Sequence, residues 1–153
     1  VQTLAARKAR SVAREMPGDC WILGADTLVE KDGAVLGKPR DEHDAFFMLS
    51  ALSGSWHSVH TGVALVGPGA PPVVCVETAR VHFATMADGD IWHYIHSGEP
   101  MDKAGAYGIQ GKAGAYIDRI EGDYYAVVGL PLYRVRYMLQ GVGVYDALRR
   151  DRL

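Results

Sequence analysis

Asp26 is the residue in this chain whose position most needs a chemical explanation. It interrupts the apolar run Trp21-Ile22-Leu23-Gly24-Ala25 and is followed by Thr27-Leu28-Val29, so a carboxylate stands where a buried strand calls for another hydrophobic side chain. Burying a carboxylate is costly unless it is paired, hydrogen-bonded or metal-bound, which leaves Asp26 either a structural partner or a chemical task. Downstream, Lys38 sits in a Gly37-Lys38-Pro39 turn. Asp32-Gly33 lies between the two and is a hairpin signal that folds an acid and a base toward one another.

Other charged groups stand out of pattern. Glu77 falls on the strand face shared with Ala79, Val81 and Phe83, where a partnered structural acid and a functional one both fit. The segment Asp102-Lys103-Ala104-Gly105-Ala106-Tyr107-Gly108-Ile109-Gln110-Gly111-Lys112 is dense in glycine and carries an acid, two lysines and a glutamine. Such a composition lets backbone N–H groups approach a ligand closely, and it equally suits a plain bend between strands. It is no Walker A loop, because Ala106 occupies the place of the first glycine and Ala113 that of the magnesium-binding Ser or Thr. His93 and His96 share a helix face without an evident third ligand, so no zinc site is expected.

These groups must be carried by a small set of elements. Leu4, Lys8 and Val12 stripe an opening helix that Pro17-Gly18 should end. A strand from Cys20 through Asp26 to Glu30 follows, with a short return strand at Ala34-Val35-Leu36. Asp41 reads as the N-cap of a helix with Ala45, Met48, Leu49 and Leu52 on its apolar face, stopped at Gly54. Trp56 to Val66 and Val73 to Ala84 form a long hairpin around the Pro/Gly-rich run 67–72. A short helix is expected from Gly89 to His96, a strand at 116–120 and a further strand at Tyr124 to Val128. Leu130-Pro131 opens a helix with Leu132, Val135 and Leu139 inward, and Tyr145 to Leu153 can form a basic helical tail.

Composition sets the bounds. At 153 residues, 48% hydrophobic and 22% charged, the chain is one domain able to bury a core. A net charge of −2 argues against a general nucleic-acid binder, so an anionic ligand must be met by a local cluster of Lys and Arg. Cys20 and Cys75 lie far apart in apolar segments and read as packed thiols in a reducing cytoplasm. No run approaches the ~18 apolar residues of a membrane span, and no membrane association is expected.

Taken in order, Leu4-Ala5-x-x-Lys8-Ala9, Gly24-Ala25-Asp26-Thr27, Gly37-Lys38-Pro39, Leu52-Ser53-Gly54, His57-x-x-x-Thr61-Gly62-Val63-Ala64, Glu77-Thr78, Gly98-Glu99-Pro100 through Gly111, Glu121-Gly122-Asp123 and Val128-Gly129-Leu130-Pro131 resemble the Maf family of nucleoside triphosphate pyrophosphatases. The resemblance runs from about Leu4 to Leu139. It implies an α/β fold with a long mixed sheet bent around a central cleft and flanked by helices, like inosine triphosphate pyrophosphatase. It also implies hydrolysis between the α and β phosphates to a nucleoside monophosphate and pyrophosphate. The glycine-rich segment resembles that of the dTTP/UTP branch rather than the 7-methyl-GTP branch.

Residue by residue, Asp26 matches the family's catalytic acid. Thr27 and Gln110 match positions tied to substrate choice, Lys8, Lys38 and Lys103 match basic residues of the cleft, and Glu77 and Asp102 match acidic ones. The resemblance implies a divalent cation, Mg or Mn, held by Asp26 with Glu77 and Asp102 as helpers, and a cytoplasmic homodimer. The family's first strand and Ser-x-Ser-x-Arg-Arg phosphate loop have no counterpart in residues 1–153, which are expected to form a single N-terminally truncated domain. The alternative to an enzyme is a catalytically impaired nucleotide-binding regulator of septum formation.

Overall fold

The computed structural model describes residues 1–146 and is built on one five-stranded sheet. Its elements in chain order are α1 (Gln2–Ala13), β1 (Ile22–Lys31), β2 (Ala34–Leu36), α2 (Glu42–Leu52), β3 (Trp56–Val66), β4 (Val73–Phe83), α3 (Asp88–Ile95), β5 (Ile117–Glu121), α4 (Tyr124–Val128) and α5 (Leu132–Gly141), with three short 3₁₀ turns between α3 and β5. The strand order is β2-β1-β3-β4-β5.

The α/β class, the flanking helices and a cleft all agree with the sequence. The sheet differs from the expected mixed one in its strand directions: among the described residues every ladder is antiparallel. Two hairpins account for half of this, and the chain returns through α2 and through the long segment after β4 so that each next strand runs back along its neighbour. Asp32 and Gly33 at the first hairpin take φ of 52° and 82°, the paired left-handed geometry that a two-residue Asp-Gly turn needs. Because β2 pairs only with Val29–Lys31, β1 from Ile22 to Leu28 has β3 on one side and, among the described residues, no strand on the other.

Strand alternation divides the sheet into two faces. One carries Val59, Val63, Leu65, Ala79, Val81 and Phe83, each at most 1% exposed. Under its one end Leu49 and Leu52 of α2 and Ile91, Tyr94 and Ile95 of α3 make the main core, and under the other Val135 and Met138 of α5 pack on Val63 and Leu65. Each such large side chain contributes roughly 1.5–3 kcal/mol by leaving water.

The opposite face carries Gly24, Gly62 and Ala64, and α1 lies directly on them through Ala5, Ala6 and Ala9. A Cβ on Gly24 would stand 2.5 Å from the Ala5 carbonyl oxygen, and one on Gly62 would stand 2.7 Å from the Gln2 nitrogen. Small residues on both sides thus bring helix backbone down onto strand backbone.

Some expectations shift. Tyr124–Val128 is a helix rather than a strand, because Asp123 accepts a hydrogen bond from the Tyr125 N–H as its N-cap and Gly129, at φ 114°, ends it. The β-branched run resembled a strand, but the caps decide. In α5 Val135 and the half-buried Leu139 face inward as expected, joined by Met138, while Leu132 is 46% exposed. The proposed tail helix falls, beyond Asp146, outside the described residues.

Candidate active site

A cavity of about 440 Å³ opens beside the unpaired length of β1. The structure brings Lys8, Asp26, Thr27, Lys38, Lys103 and Gln110 together on its walls. Four separate parts of the chain deliver them: α1, β1, the turn after β2, and the glycine-rich turns.

Asp26 pairs across β1 and β3 with Gly62, which puts its side chain on the α1 face. There Lys8 Nζ donates to Asp26 Oδ1 at 2.7 Å and to the Ala25 carbonyl at 3.4 Å. The Asp26 side chain is 15% exposed and that of Lys8 58%, so the acid is largely enclosed while its ammonium partner remains wet. Lys8 offsets the cost of enclosing the carboxylate, and one edge of Asp26 remains available to a ligand.

Thr27 points to the other face, where its Oγ1 is 2.7 Å from Thr61 Oγ1, and the fully buried Thr61 hydroxyl donates to the Ala126 carbonyl at 2.7 Å. The next residues, Val127, Val128 and Gly129, line the cavity.

The glycine-rich turns are anchored from below. Glu99 accepts from the Tyr94 hydroxyl at 2.8 Å and from the Lys112 N–H at 3.0 Å, and the Gly108 N–H donates to the Tyr94 hydroxyl at 3.2 Å. Burial works to raise the Glu99 pKa, yet those hydrogen bonds, the Lys112 N–H first, outweigh it and hold the carboxyl below its ordinary range. Burial, reinforced by Glu99, pushes the Tyr94 phenol up. A side chain at Gly111 would run into the Glu99 carboxylate and displace it from its hydrogen bonds with Tyr94 and Lys112. The Gly105 N–H donates to the Gly37 carbonyl at 3.0 Å, tying the Lys38 turn to the same platform.

Tyr107 forms part of the cavity floor and is 6% exposed; its hydroxyl is 2.7 Å from His57 Nε2. Burial, with Lys31 nearby, lowers the His57 pKa to about 4, so the ring is neutral near pH 7. Burial also pushes the Tyr107 phenol up.

Two acids expected in the cleft are not among the residues that line the cavity, although Asp102 sits beside the cavity lysine Lys103. Glu77 stands opposite Thr61 in the sheet, on the face away from Asp26, and Arg134 Nε of α5 donates to its Oε2 at 2.9 Å. Asp102 is 77% exposed and turned to Lys103 at 2.7 Å; that hydrogen bond holds its carboxyl below the usual range. Neither lines the cavity, and among the described residues no group of three or more His, Cys, Asp and Glu is placed to hold a metal ion. Asp26 is the carboxylate on the cavity wall, which suits a cation of the magnesium type, held by one carboxylate and completed by phosphate oxygens and water.

Thr61 and Tyr107 were not singled out by sequence reasoning as site residues. Thr61 is an inward hydroxyl on a buried strand face and Tyr107 an aromatic within the glycine-rich run; both are signals that also describe ordinary core residues.

The chemistry available is one enclosed carboxylate facing three lysines, with a hydroxyl and an amide to orient a neutral group. Known proteins resemble this chain closely. The family described as Maf-like protein matches residues 1–142. A dTTP/UTP pyrophosphatase of Koribacter versatilis is 53% identical over 143 residues, covering 94% of this chain and 73% of that protein. The dTTP/UTP pyrophosphatase of Symbiobacterium thermophilum is 54% identical over the same length, with the same coverage. That of Caldicellulosiruptor bescii is 46% identical over 155 residues, covering 99% of this chain and 77% of its own. Among the described residues no helix is long and apolar enough to cross a membrane.

Proposed function

The chain belongs to the Maf family, and on that premise we propose that its cavity hydrolyses dTTP and UTP to the nucleoside monophosphate and pyrophosphate. The observation that supports this most is the meeting of Asp26 with Lys8, Lys38 and Lys103 around one cavity whose walls also carry Thr27 and Gln110.

The bound triphosphate is strongly anionic, and the ammonium groups of Lys38 and Lys103 neutralise it and draw it into line. Asp26, held in place by Lys8, takes the proton of the water that attacks the α phosphorus, and the pyrophosphate leaves on the opposite side. Removal of such a base costs on the order of a hundredfold or more in turnover. A divalent cation, Mg or Mn, belongs to this reading with Asp26 as its protein ligand; when bound it supplies further neutralisation of the phosphate oxygens. Thr27 and Gln110 read the base through a hydroxyl and an amide. The reading extends to a homodimer in the cytoplasm, for which the exposed Leu132, Tyr133 and Tyr137 of α5 offer apolar area; sedimentation velocity decides it.

The test is incubation of the chain and its Asp26→Asn variant with dTTP, UTP, CTP, 7-methyl-GTP and ATP, each with magnesium or manganese, scoring pyrophosphate against orthophosphate. Pyrophosphate from dTTP and UTP that falls at least a hundredfold in the variant is the expected result. A variant as fast as the parent overturns the role of Asp26. Nucleotide binding without any product favours a binding protein of the septum-regulating kind instead.

A further inference from the structure

The hydroxyl pair behind the cavity has only one consistent arrangement of protons. Thr27 Oγ1 and Thr61 Oγ1 are 2.7 Å apart, and Thr61 Oγ1 is 2.7 Å from the Ala126 carbonyl oxygen. At such distances each oxygen pair must hold a proton between its members, since otherwise lone pairs face one another. A threonine hydroxyl brings one proton and a carbonyl brings none. The Thr61 proton therefore lies toward Ala126, and the proton between the two threonines comes from Thr27. Thr61 is 0% exposed, so no water offers either hydroxyl an alternative at that end.

From this we infer that Thr61 is a positioning residue that fixes Thr27 as a pure hydrogen-bond acceptor toward the cavity, and so selects a base bearing an N–H at the contacted edge. This rests on the proposed substrate class and deepens it. Uracil and thymine carry a proton on N3 between two carbonyls; cytosine has a bare lone pair there. An acceptor whose own proton is committed to the protein interior welcomes the first and sets lone pair against lone pair with the second. Gly129, whose added Cβ would stand 3.3 Å from Thr27 Oγ1, keeps the approach to that hydroxyl open. The Gln110 amide, lining the same cavity, can donate to a neighbouring carbonyl of the same base. Sites built around a specific polar partner reject analogues that leave it unmatched far better than apolar pockets reject a missing methylene.

The experiment compares UTP, CTP, UTP methylated at N3 and 3′-deoxy-UTP in the parent chain, Thr61→Val, Thr61→Ser and Thr27→Val. It reads kcat/KM for pyrophosphate release and, separately, equilibrium binding of the α,β-methylene analogues of UTP and CTP. In the parent, CTP and N3-methyl-UTP should be disfavoured against UTP by about tenfold or more, with 3′-deoxy-UTP close to UTP. Thr61→Val frees the Thr27 proton to face the cavity, so the UTP/CTP ratio should fall by about tenfold, chiefly by a loss for UTP and a gain for CTP. Thr61→Ser should restore the ratio, which a merely structural role for the residue would not require.

An unchanged ratio in folded Thr61→Val overturns the inference, as does a parent that accepts N3-methyl-UTP like UTP but rejects 3′-deoxy-UTP, because the donor is then a sugar hydroxyl. Should Thr61→Val not fold, Thr27→Val keeps the Thr61–Ala126 bond and decides: a UTP/CTP ratio equal to the parent's refutes base reading by Thr27, and a collapsed ratio upholds it. The binding ratio keeps the two readings apart. Absence of pyrophosphate defeats the proposed hydrolysis, while preference for the UTP analogue over the CTP analogue still judges the proton arrangement.

Discussion

Replacing Gly24 by alanine probes whether bare backbone contact between α1 and β1 positions Asp26, the carboxylate proposed to act as base. The added Cβ would lie 2.5 Å from the Ala5 carbonyl oxygen, 2.9 Å from Ala9 Cβ and 3.0 Å from the Ala9 nitrogen. Comfortable contact needs about 3.5 Å, so helix and strand must separate by about 1 Å. Two of the obstructing groups are backbone, which no rotamer change can move aside.

Overpacking of this kind costs roughly 1–3 kcal/mol, and the gain from a less flexible unfolded chain returns about 0.4–1 kcal/mol of it. A net loss near 1–2 kcal/mol corresponds to a fall in Tm of about 2–8 °C for a chain of this size. The same displacement takes Lys8 on α1 away from Asp26 on β1, now 2.7 Å apart, to about the limit of a hydrogen bond. Misplacement by about 1 Å near reacting groups can lower rate up to a hundredfold; with the flexible lysine stem able to follow, we expect kcat/KM for dTTP to fall by about tenfold. Thermal melting and pyrophosphate release read the two effects. Gly141→Ala, at the end of α5 where an added Cβ meets nothing within 4 Å, is the control: it should leave kcat/KM unchanged and Tm equal to or slightly above the parent's. A Gly24→Ala protein with parental Tm and parental kcat/KM would refute the argument that α1 is seated through the missing side chain.

Two further outcomes follow from the side chains around the site. His57 has a folded pKa of about 4, below its ordinary unfolded value of about 6.5, so the unfolded chain binds the extra proton between those limits. Its contribution is complete above about pH 6.5 and is lost as the pH falls toward 4, by up to about 3 kcal/mol; urea titrations at several pH values should show a shallower acid slope in His57→Gln than in the parent. Glu77→Gln should leave turnover within about twofold, the metal concentration for half-maximal rate unchanged, and stability lowered by no more than about 1 kcal/mol, since its partner Arg134 is partly exposed. A shifted metal requirement in that variant would reinstate Glu77 as a ligand.

Much of the site was legible because its signals are local. A carboxylate breaking an apolar strand, a Gly-Lys-Pro turn and a glycine-rich run each announce themselves within a few residues, and Asp26, Lys38, Lys103 and Gln110 share one cavity; Lys8, locally only a position on a helix stripe, joined them through the family resemblance alone. Glu77 shows where such reading stops. Its strand face was read correctly beside Ala79, Val81 and Phe83, but only tertiary packing brings Arg134 from α5 to meet it. Thr61 was hidden for the same reason: the carbonyl that takes its proton belongs to Ala126 in α4. The strand expected at Tyr124–Val128 failed through capping, where one Asp123 side chain and one left-handed Gly129 outweigh the β preference of the residues between them.

The cavity's walls are gathered from Lys8 near one end of the described chain to Gly129 near the other, across two helices, two strands and several turns. No contiguous fragment carries enough of them to hold a triphosphate, so ligand affinity is a property of the completed fold. Binding is thereby thermodynamically linked to global folding rather than to the closing of one loop. A nucleotide present at about a hundred times its Kd adds about 2.7 kcal/mol to the stability of the whole chain. In a cell rich in its substrate the protein would resist unfolding and proteolysis more than it does alone, and depletion of that substrate would shorten its life as well as idle it.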